Sequence, residues 1–222
     1  FSTSQPPNSL CILSLDVPPS ARLLSPACAS DGAEETRAVG TSVTFHLQNP
    51  DGPTAAWSFY NNLIVTVKFG KPPEPTFYDK KFEERFTFPE DGRALTISEL
   101  RLEDAGIYTV KISGAGASVT FALHVYRELP VPTVTCVAQN CSTSNCSYTL
   151  GCAVSGFGFG NISYSWSQGG LPWSEGPELL VEEWSPDETL LTCTVQNPVS
   201  TRNVTVTSPA ALCAGTSRGK TR

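Results

Sequence analysis

The 222-residue chain has no methionine, only two histidines, and no cysteine between Cys28 and Cys136. No uninterrupted apolar run approaches the roughly 18 residues that span a bilayer, so this stretch is expected to be soluble, with any anchor beyond Arg222. Positive charge is scarce in the second half, where residues 128–213 hold Arg202 alone against seven acids. With a net charge of −6, this argues against nucleic acid or an anionic membrane surface as the main partner, and the lack of a long apolar run argues against direct membrane insertion. Catalytic groups are scarce too. His46 alternates with Phe45 and Leu47 along one strand and His124 lies in another, neither in a nucleophile motif. Carboxylate pairs such as Glu83-Glu84 and Glu182-Glu183 fit solvated positions better than acid/base work. Gly114-Ala115-Gly116-Ala117 lacks the following helix that a phosphate cradle needs and reads as a hairpin tip. No enzymatic activity, cofactor, metal or small-molecule substrate is therefore expected.

What the chain does have is oxidisable cysteine and β pattern. Eight cysteines, with sequons at Asn140, Asn145, Asn161 and Asn203, indicate an extracellular, glycosylated product whose leader has been removed. Zinc binding is the rival use of the cysteines, but sequons overlapping Cys141 and Cys146 point to an oxidising lumen. From residue 39 to 126, β-rich segments recur between turn signals at 41–47, 56–60, 63–69, 76–78, 85–88, 94–100, 106–113 and 118–126, with no long helical period among them. Two of these read as immunoglobulin-domain strands whose paired cysteines are replaced by Leu47 and Val110. The second half repeats the pattern with Cys152, Trp166 and Cys193 in place.

The expected fold class is all-β: two tandem immunoglobulin-like sandwiches, the first variable-type without the inter-sheet disulfide, the second constant-type with two disulfides. The expected boundaries are 1–36 for an N-terminal extension that packs or forms an edge strand, 37–127 and 128–213 for the two domains, and 214–222 for a tail. The 63 positions between Leu47 and Val110 leave room for extra strands, whereas the 41 between Cys152 and Cys193 do not. In the first domain, Trp57 fills the core, Tyr108 takes the tyrosine-corner position, and Arg85 and Asp104 close the bottom as an ion pair. Leu47, Val110, Phe45, Leu95, Ile97, Leu100, Ile112, Phe121 and Leu123 complete that core, each contributing about 1.5–3 kcal/mol before entropy is subtracted. A disulfide contributes about 2–4 kcal/mol, so packing can replace it. Pro130-Val131-Pro132 makes a stiff elbow between the domains.

Among the cysteines, Cys152 is expected to bond Cys193. Cys146 stands six positions before Cys152, on the same face of one strand, and would reach Cys213. That leaves Cys136 with Cys141 and Cys11 with Cys28 as local pairs, although eight cysteines admit many connectivities.

Alternation also outlines a recognition face. With Tyr108, Val110 and Ile112 inward, Thr109, Lys111 and Ser113 point out; with Trp57 and Phe59 inward, Ser58 and Tyr60 point out. Thr66 and Lys68 from the next strand, Phe69, Lys71, Phe77, Tyr78 and Lys80 beyond it, and a small tip at Ala115 extend the surface. The result is a face with exposed aromatics among lysines, a composition typical of interface hot spots. Such a face, with Lys68, Lys71, Lys80, Lys81 and Lys111, would repel its twin and attract an acidic partner. The competing use of Phe69, Phe77 and Tyr78 is simply to cover the sheet edge.

The disulfide-free variable domain, the proline elbow, the Cys-x5-Cys strand, and Cys193-Thr-Val-Gln-Asn197-Pro-Val-Ser200 with a final Cys213 together resemble the two-domain ectodomain of the signalling lymphocytic activation molecule (SLAM) family. Phe77-Tyr78-Asp79-Lys80-Lys81-Phe82-Glu83-Glu84-Arg85, Gly92-Arg93-Ala94-Leu95-Thr96-Ile97-Ser98 and Asn203-Val-Thr205 are most similar to the GPI-anchored member that serves as ligand for the natural-killer receptor 2B4. The resemblance implies recognition between leukocytes, through the front sheet of the membrane-distal domain, with a 2B4-like SLAM-family receptor as partner. Homophilic adhesion, as in other members of the family, is the alternative. Three departures stand out: an extension carrying Cys11 and Cys28, a first domain without sequons, and Leu191 where a tyrosine is usual. An unglycosylated front domain with an added N-terminal device is what a viral copy, such as those that cytomegaloviruses encode, would have; an ordinary cellular paralogue is the other source.

Overall fold

The computed structural model describes residues 33–48, 50–114, 118–143, 145–182 and 190–215. Nine strands form the first sandwich: β1 (Glu34–Ala38), β2 (Val43–His46), β3 (Thr54–Phe59), β4 (Asn62–Lys68), β5 (Glu74–Phe77), β6 (Phe86–Thr87), β7 (Ala94–Ile97), β8 (Gly106–Ile112) and β9 (Ser118–Tyr126). A six-stranded sheet runs β1-β9-β8-β3-β4-β5 and faces a three-stranded sheet β2-β7-β6. Strands β4 and β5 are the extra pair that makes the domain variable-type, and β1 lies parallel to β9, closing that edge. Glu34, Glu35 and Thr36, assigned from sequence to the extension, thus belong to this sheet's edge strand. Cys11 and Cys28 lie outside the described residues.

Among the described residues no disulfide joins the two sheets, and their facing sides are held by packing. Leu47 and Val110 share one buried cluster with Phe45, Trp57, Leu95, Ile97, Leu100, Phe121 and Leu123. Across the two sheets the ring of Phe45 stacks 4.7 Å from Phe121, and Trp57, on the same sheet as Phe121, lies 5.8 Å from it. Ile112 is only half buried, at the end of β8. Below this core, both terminal nitrogens of Arg85 donate to the Asp104 carboxylate at 2.7 and 2.8 Å, and both side chains are buried. The Tyr108 hydroxyl donates to the Asp104 carbonyl at 2.8 Å, forming the tyrosine corner. Burial pushes the Tyr108 phenol well above its ordinary value, and the hydrogen bond to Asp104 raises the Arg85 guanidinium, so each stays protonated.

Seven strands and a short helix form the second sandwich: β10 (Thr133–Cys141), β11 (Cys146–Ala153), β12 (Ser163–Gln168), β13 (Leu171–Glu175), β14 (Glu178–Val181), β15 (Leu191–Asn197), β16 (Ser200–Val206) and α1 (Pro209–Ala214). Sheet β10-β11-β14 packs on sheet β13-β12-β15-β16 over Trp166, Leu150, Leu191, Val195 and the Cys152–Cys193 bridge.

The other two bridges of this domain differ from the sequence expectation. Cys146 bonds Cys141, not Cys213, and Cys136 bonds Cys213, not Cys141. Cys136 and Cys141 sit on the same strand, β10, which keeps them about 17 Å apart, beyond disulfide reach. Cys141 and Cys146 face each other across the β10–β11 hairpin. The parity that set Cys146 beside Cys152 is correct, but six extended residues put Cys146 about 20 Å away, at the hairpin end. The segment that carries Cys213 is a short helix. Ser208 caps α1 by accepting from the Ala211 amide, Pro209 starts the helix, and the turn carries Cys213 to Cys136.

Candidate functional site

Several of the residues singled out from sequence converge on the outward side of the six-stranded sheet. Cross-strand pairing arranges it in rows. Thr76, Thr66, Ala56, Lys111 and Ser118 form one. Leu63, Ser58, Thr109 and Thr120 form the next, and Ile107 and Ala122 follow. Ser58, Thr66, Lys68, Thr109 and Lys111 therefore lie together on one side of the sheet. Ser113 stands just past β8, where its hydroxyl bonds the backbone of Thr54. Ala115 lies outside the described residues.

A bulge supplies what alternation missed. Between β3 and β4 the pairing steps from Trp57 opposite Val65 to Ser58 opposite Leu63. Ile64 and Val65 both turn into the core, and Leu63 flips outward, 44% exposed. A strict period of two would have aimed Leu63 inward with Val65 and Val67. Ile107, 39% exposed, shares the parity of Thr109 and was legible from sequence. The β3–β4 turn is Tyr60-Asn61, with φ of 46° and 69°, the type I′ geometry that fits the sheet twist. For tyrosine this left-handed backbone is uncommon, and such positions gather where function demands them. The ring of Tyr60 is 57% exposed, meets Phe59 edge-on at 4.7 Å, and fills the space beside Gly106 that a Cβ would occupy. Tyr60, Leu63 and Ile107 thus cluster at one end of an otherwise small-residue, hydroxyl-rich face.

Other residues assigned to the face lie elsewhere. Phe69 and Phe77 pack against the core, Phe69 under the Arg93 guanidinium and Phe77 against Phe88. They cover the sheet edge, and of the three aromatics in question only Tyr78 is strongly exposed. Lys71 is exposed before the cis Pro72 in the β4–β5 region, and Lys80 lies in a 3-10 turn, Lys80–Phe82, beyond β5. The lysine-rich character is reduced as well. Lys68 pairs with Glu74 at 3.2 Å and Lys81 with Asp79 at 3.6 Å, so Lys111 is left as the sheet-face lysine without an ion pair among the described residues. The four sequon asparagines are all exposed in the second domain, away from this face.

SLAM family member 7 of Homo sapiens is 28% identical over 206 residues, covering 87% of this chain and 60% of that protein. SLAM family member 5 of Homo sapiens is 31% identical over 191 residues, covering 82% of this chain and 54% of that protein. The chain is homologous to SLAM family members. It spans between about half and three-fifths of the length of these two relatives. The solved structure of murine CEACAM1b, 18% identical, superposes with a TM-score of 0.59 over 77% of this chain and 93% of that one, a likeness of fold. No family model matches the chain. No described helix is long and apolar enough to cross a membrane.

Proposed function

We propose that this chain is the extracellular recognition part of an immune cell-surface or decoy protein, and that it docks on a SLAM-family receptor through the outward face of β4, β3, β8 and β9. The observation that carries the reading is the bulge-driven cluster of Tyr60, Leu63 and Ile107 beside rows of threonine and serine that include Lys111, on a domain without sequons. An aromatic anchor held by a rigid turn, next to a flat face that sugar does not cover, suits a modest, reversible docking between cells. A 2B4-like receptor is the partner to which the stretches at 77–85 and 92–98 point. A soluble or viral copy with this face would block natural-killer recognition by occupying that receptor.

A second reading, homophilic adhesion, gains from the ion pairs of Lys68 and Lys81. With Lys68 and Lys81 paired to Glu74 and Asp79, the repulsion expected between two copies is reduced. Surface plasmon resonance of the purified chain against a panel of SLAM-family ectodomains, 2B4 included, separates the readings when paired with sedimentation of the chain alone. On the receptor reading, Tyr60→Ala and Lys111→Glu each weaken binding by about tenfold or 1.4 kcal/mol. The tyrosine loss acts on dissociation, and the charge reversal acts on association and fades in high salt. Unchanged binding by both variants rejects the face. Sedimentation as a dimer that Tyr60→Ala dissolves establishes self-pairing instead.

A further inference from the structure

Trp173 is the exposed tryptophan among the described residues, 42% accessible on edge strand β13, while Trp57 and Trp166 are buried. With exposed Leu171 and Pro172 beside it, the indole belongs to an apolar patch on the sheet edge. Trp173 and Pro172 form one wall of a groove of about 370 Å³ whose floor is Ser165, Ser167 and Thr194. The register extends that floor across the sheet: Ser165 pairs with Thr194, and Thr194 with Asn203 of β16. These side chains therefore face the same way, and the rows on either side consist of serine, threonine and glutamine with no charged group. Glu175 is the single charged residue lining the groove.

We infer that this groove is the bed of an N-linked glycan attached to Asn203, with the innermost sugars lying across the four-stranded sheet and stacking on Trp173. Asn203, in the sequon Asn203-Val204-Thr205, is exposed. Three strand spacings separate β16 from β13, about 14 Å, a span the core sugars of such a glycan cover. The chemistry matches at both ends. The C–H face of a pyranose is weakly positive and sits on the electron-rich face of an indole. Sugar hydroxyls exchange hydrogen bonds with serine and threonine as readily as with water. A flat, hydroxyl-rich face whose one charged group is Glu175, with one indole at its rim, lacks the buried anchors of a protein interface. The inference uses only the secretory passage contained in the proposed function, not the receptor, so failed receptor binding leaves it standing.

The test is native-state deglycosylation of the chain secreted from mammalian cells, with release at Asn203 and at exposed Asn161 followed by glycopeptide mass spectrometry. The Asn203 glycan is expected to leave at least about tenfold more slowly than the Asn161 glycan. Trp173→Ala should bring the two rates together, and Trp173→Tyr should keep most of the difference. Acrylamide quenching supplies an arm that needs no change at Trp173: Asn203→Gln should raise the quenchable tryptophan emission. Equal release rates, an unmodified Asn203, or quenching unaltered by Asn203→Gln would each overturn the inference. So would a groove found to be occupied by a second copy in sedimentation of the Asn203→Gln chain.

Discussion

At the scale of single residues, Asp104 joins three parts of the first domain. Its carboxylate accepts both Arg85 nitrogens and the Arg101 amide, and its carbonyl accepts the Tyr108 hydroxyl. Asp104→Ala leaves a buried guanidinium without its counter-charge, and the expected loss is about 3–5 kcal/mol, read as a lowered midpoint in denaturant. A loss near zero would mean that water reaches Arg85 in the folded state. Tyr108 adds a pH dependence whose sign follows from its raised pKa. Above about pH 10 the unfolded chain releases the phenolic proton while the folded domain keeps it, so the unfolded state binds fewer protons and stability falls as pH rises. Below that pH the contribution is fully present. Tyr108→Phe should lower stability at neutral pH by about 1 kcal/mol, through the lost hydrogen bond, and should flatten the decline on the alkaline side. Denaturant titrations of both proteins at neutral and alkaline pH check it; parallel curves would assign the alkaline loss to other groups.

At the scale of elements, the bridges of the second domain divide by the length of chain they close. Cys136–Cys213 spans 77 positions and Cys141–Cys146 spans five. In the chain-entropy model these loops are worth about 4.5 and about 2 kcal/mol. Replacing Cys136 and Cys213 together by alanine should therefore lower the second domain's stability by clearly more than replacing Cys141 and Cys146. Equal losses would show that the hairpin, not the long loop, limits unfolding. The elements also show what is legible in a sequence. β9 begins and ends where alternation sets it, and β3, β4 and β8 shift by one or two residues, because their inner faces are continuous rows of large apolar side chains. The same alternation placed Ser58, Thr66, Lys68, Thr109 and Lys111 on one face. It failed at Leu63, because a bulge depends on how two strands match and not on either strand alone. It failed for Cys213 because a helix at the chain's end, not a strand, decides which cysteine is within reach. Phe69 and Phe77, expected as exposed, are half-buried at the sheet edge, since a covering aromatic and a binding aromatic look the same in sequence.

At the scale of the whole molecule, the prolines at 130 and 132 predicted a stiff elbow, but the group that fastens it lies some 70 positions away. The Asn197 amide nitrogen donates to the Arg127 carbonyl at 2.8 Å and the Phe159 carbonyl at 2.9 Å, and its oxygen accepts from the Ser200 amide and hydroxyl, both at 2.8 Å. Ser200 in turn accepts from the Leu129 amide at 2.8 Å. One buried side chain thus ties the linker to the 156–160 loop and to the β15–β16 turn. That loop supplies glycines at positive φ, and two of them let the first domain approach: Leu102 lies against Gly158 and the Tyr126 ring against Gly160. The Arg127 guanidinium covers Phe157 at 4.5 Å. Asn197→Ala strands the carbonyls of Arg127 and Phe159 and the Ser200 amide, and should destabilise the second domain by about 1–3 kcal/mol. The more telling readout is geometric. If Asn197 holds the elbow, small-angle scattering of the variant should show a broader distribution of interdomain distances, and hydrogen exchange should rise at 127–129 and 157–160 while β3 and β8 stay protected. Faster exchange through the second domain with an unchanged scattering profile would mean that Asn197 supports its own sandwich only and that the prolines alone set the angle.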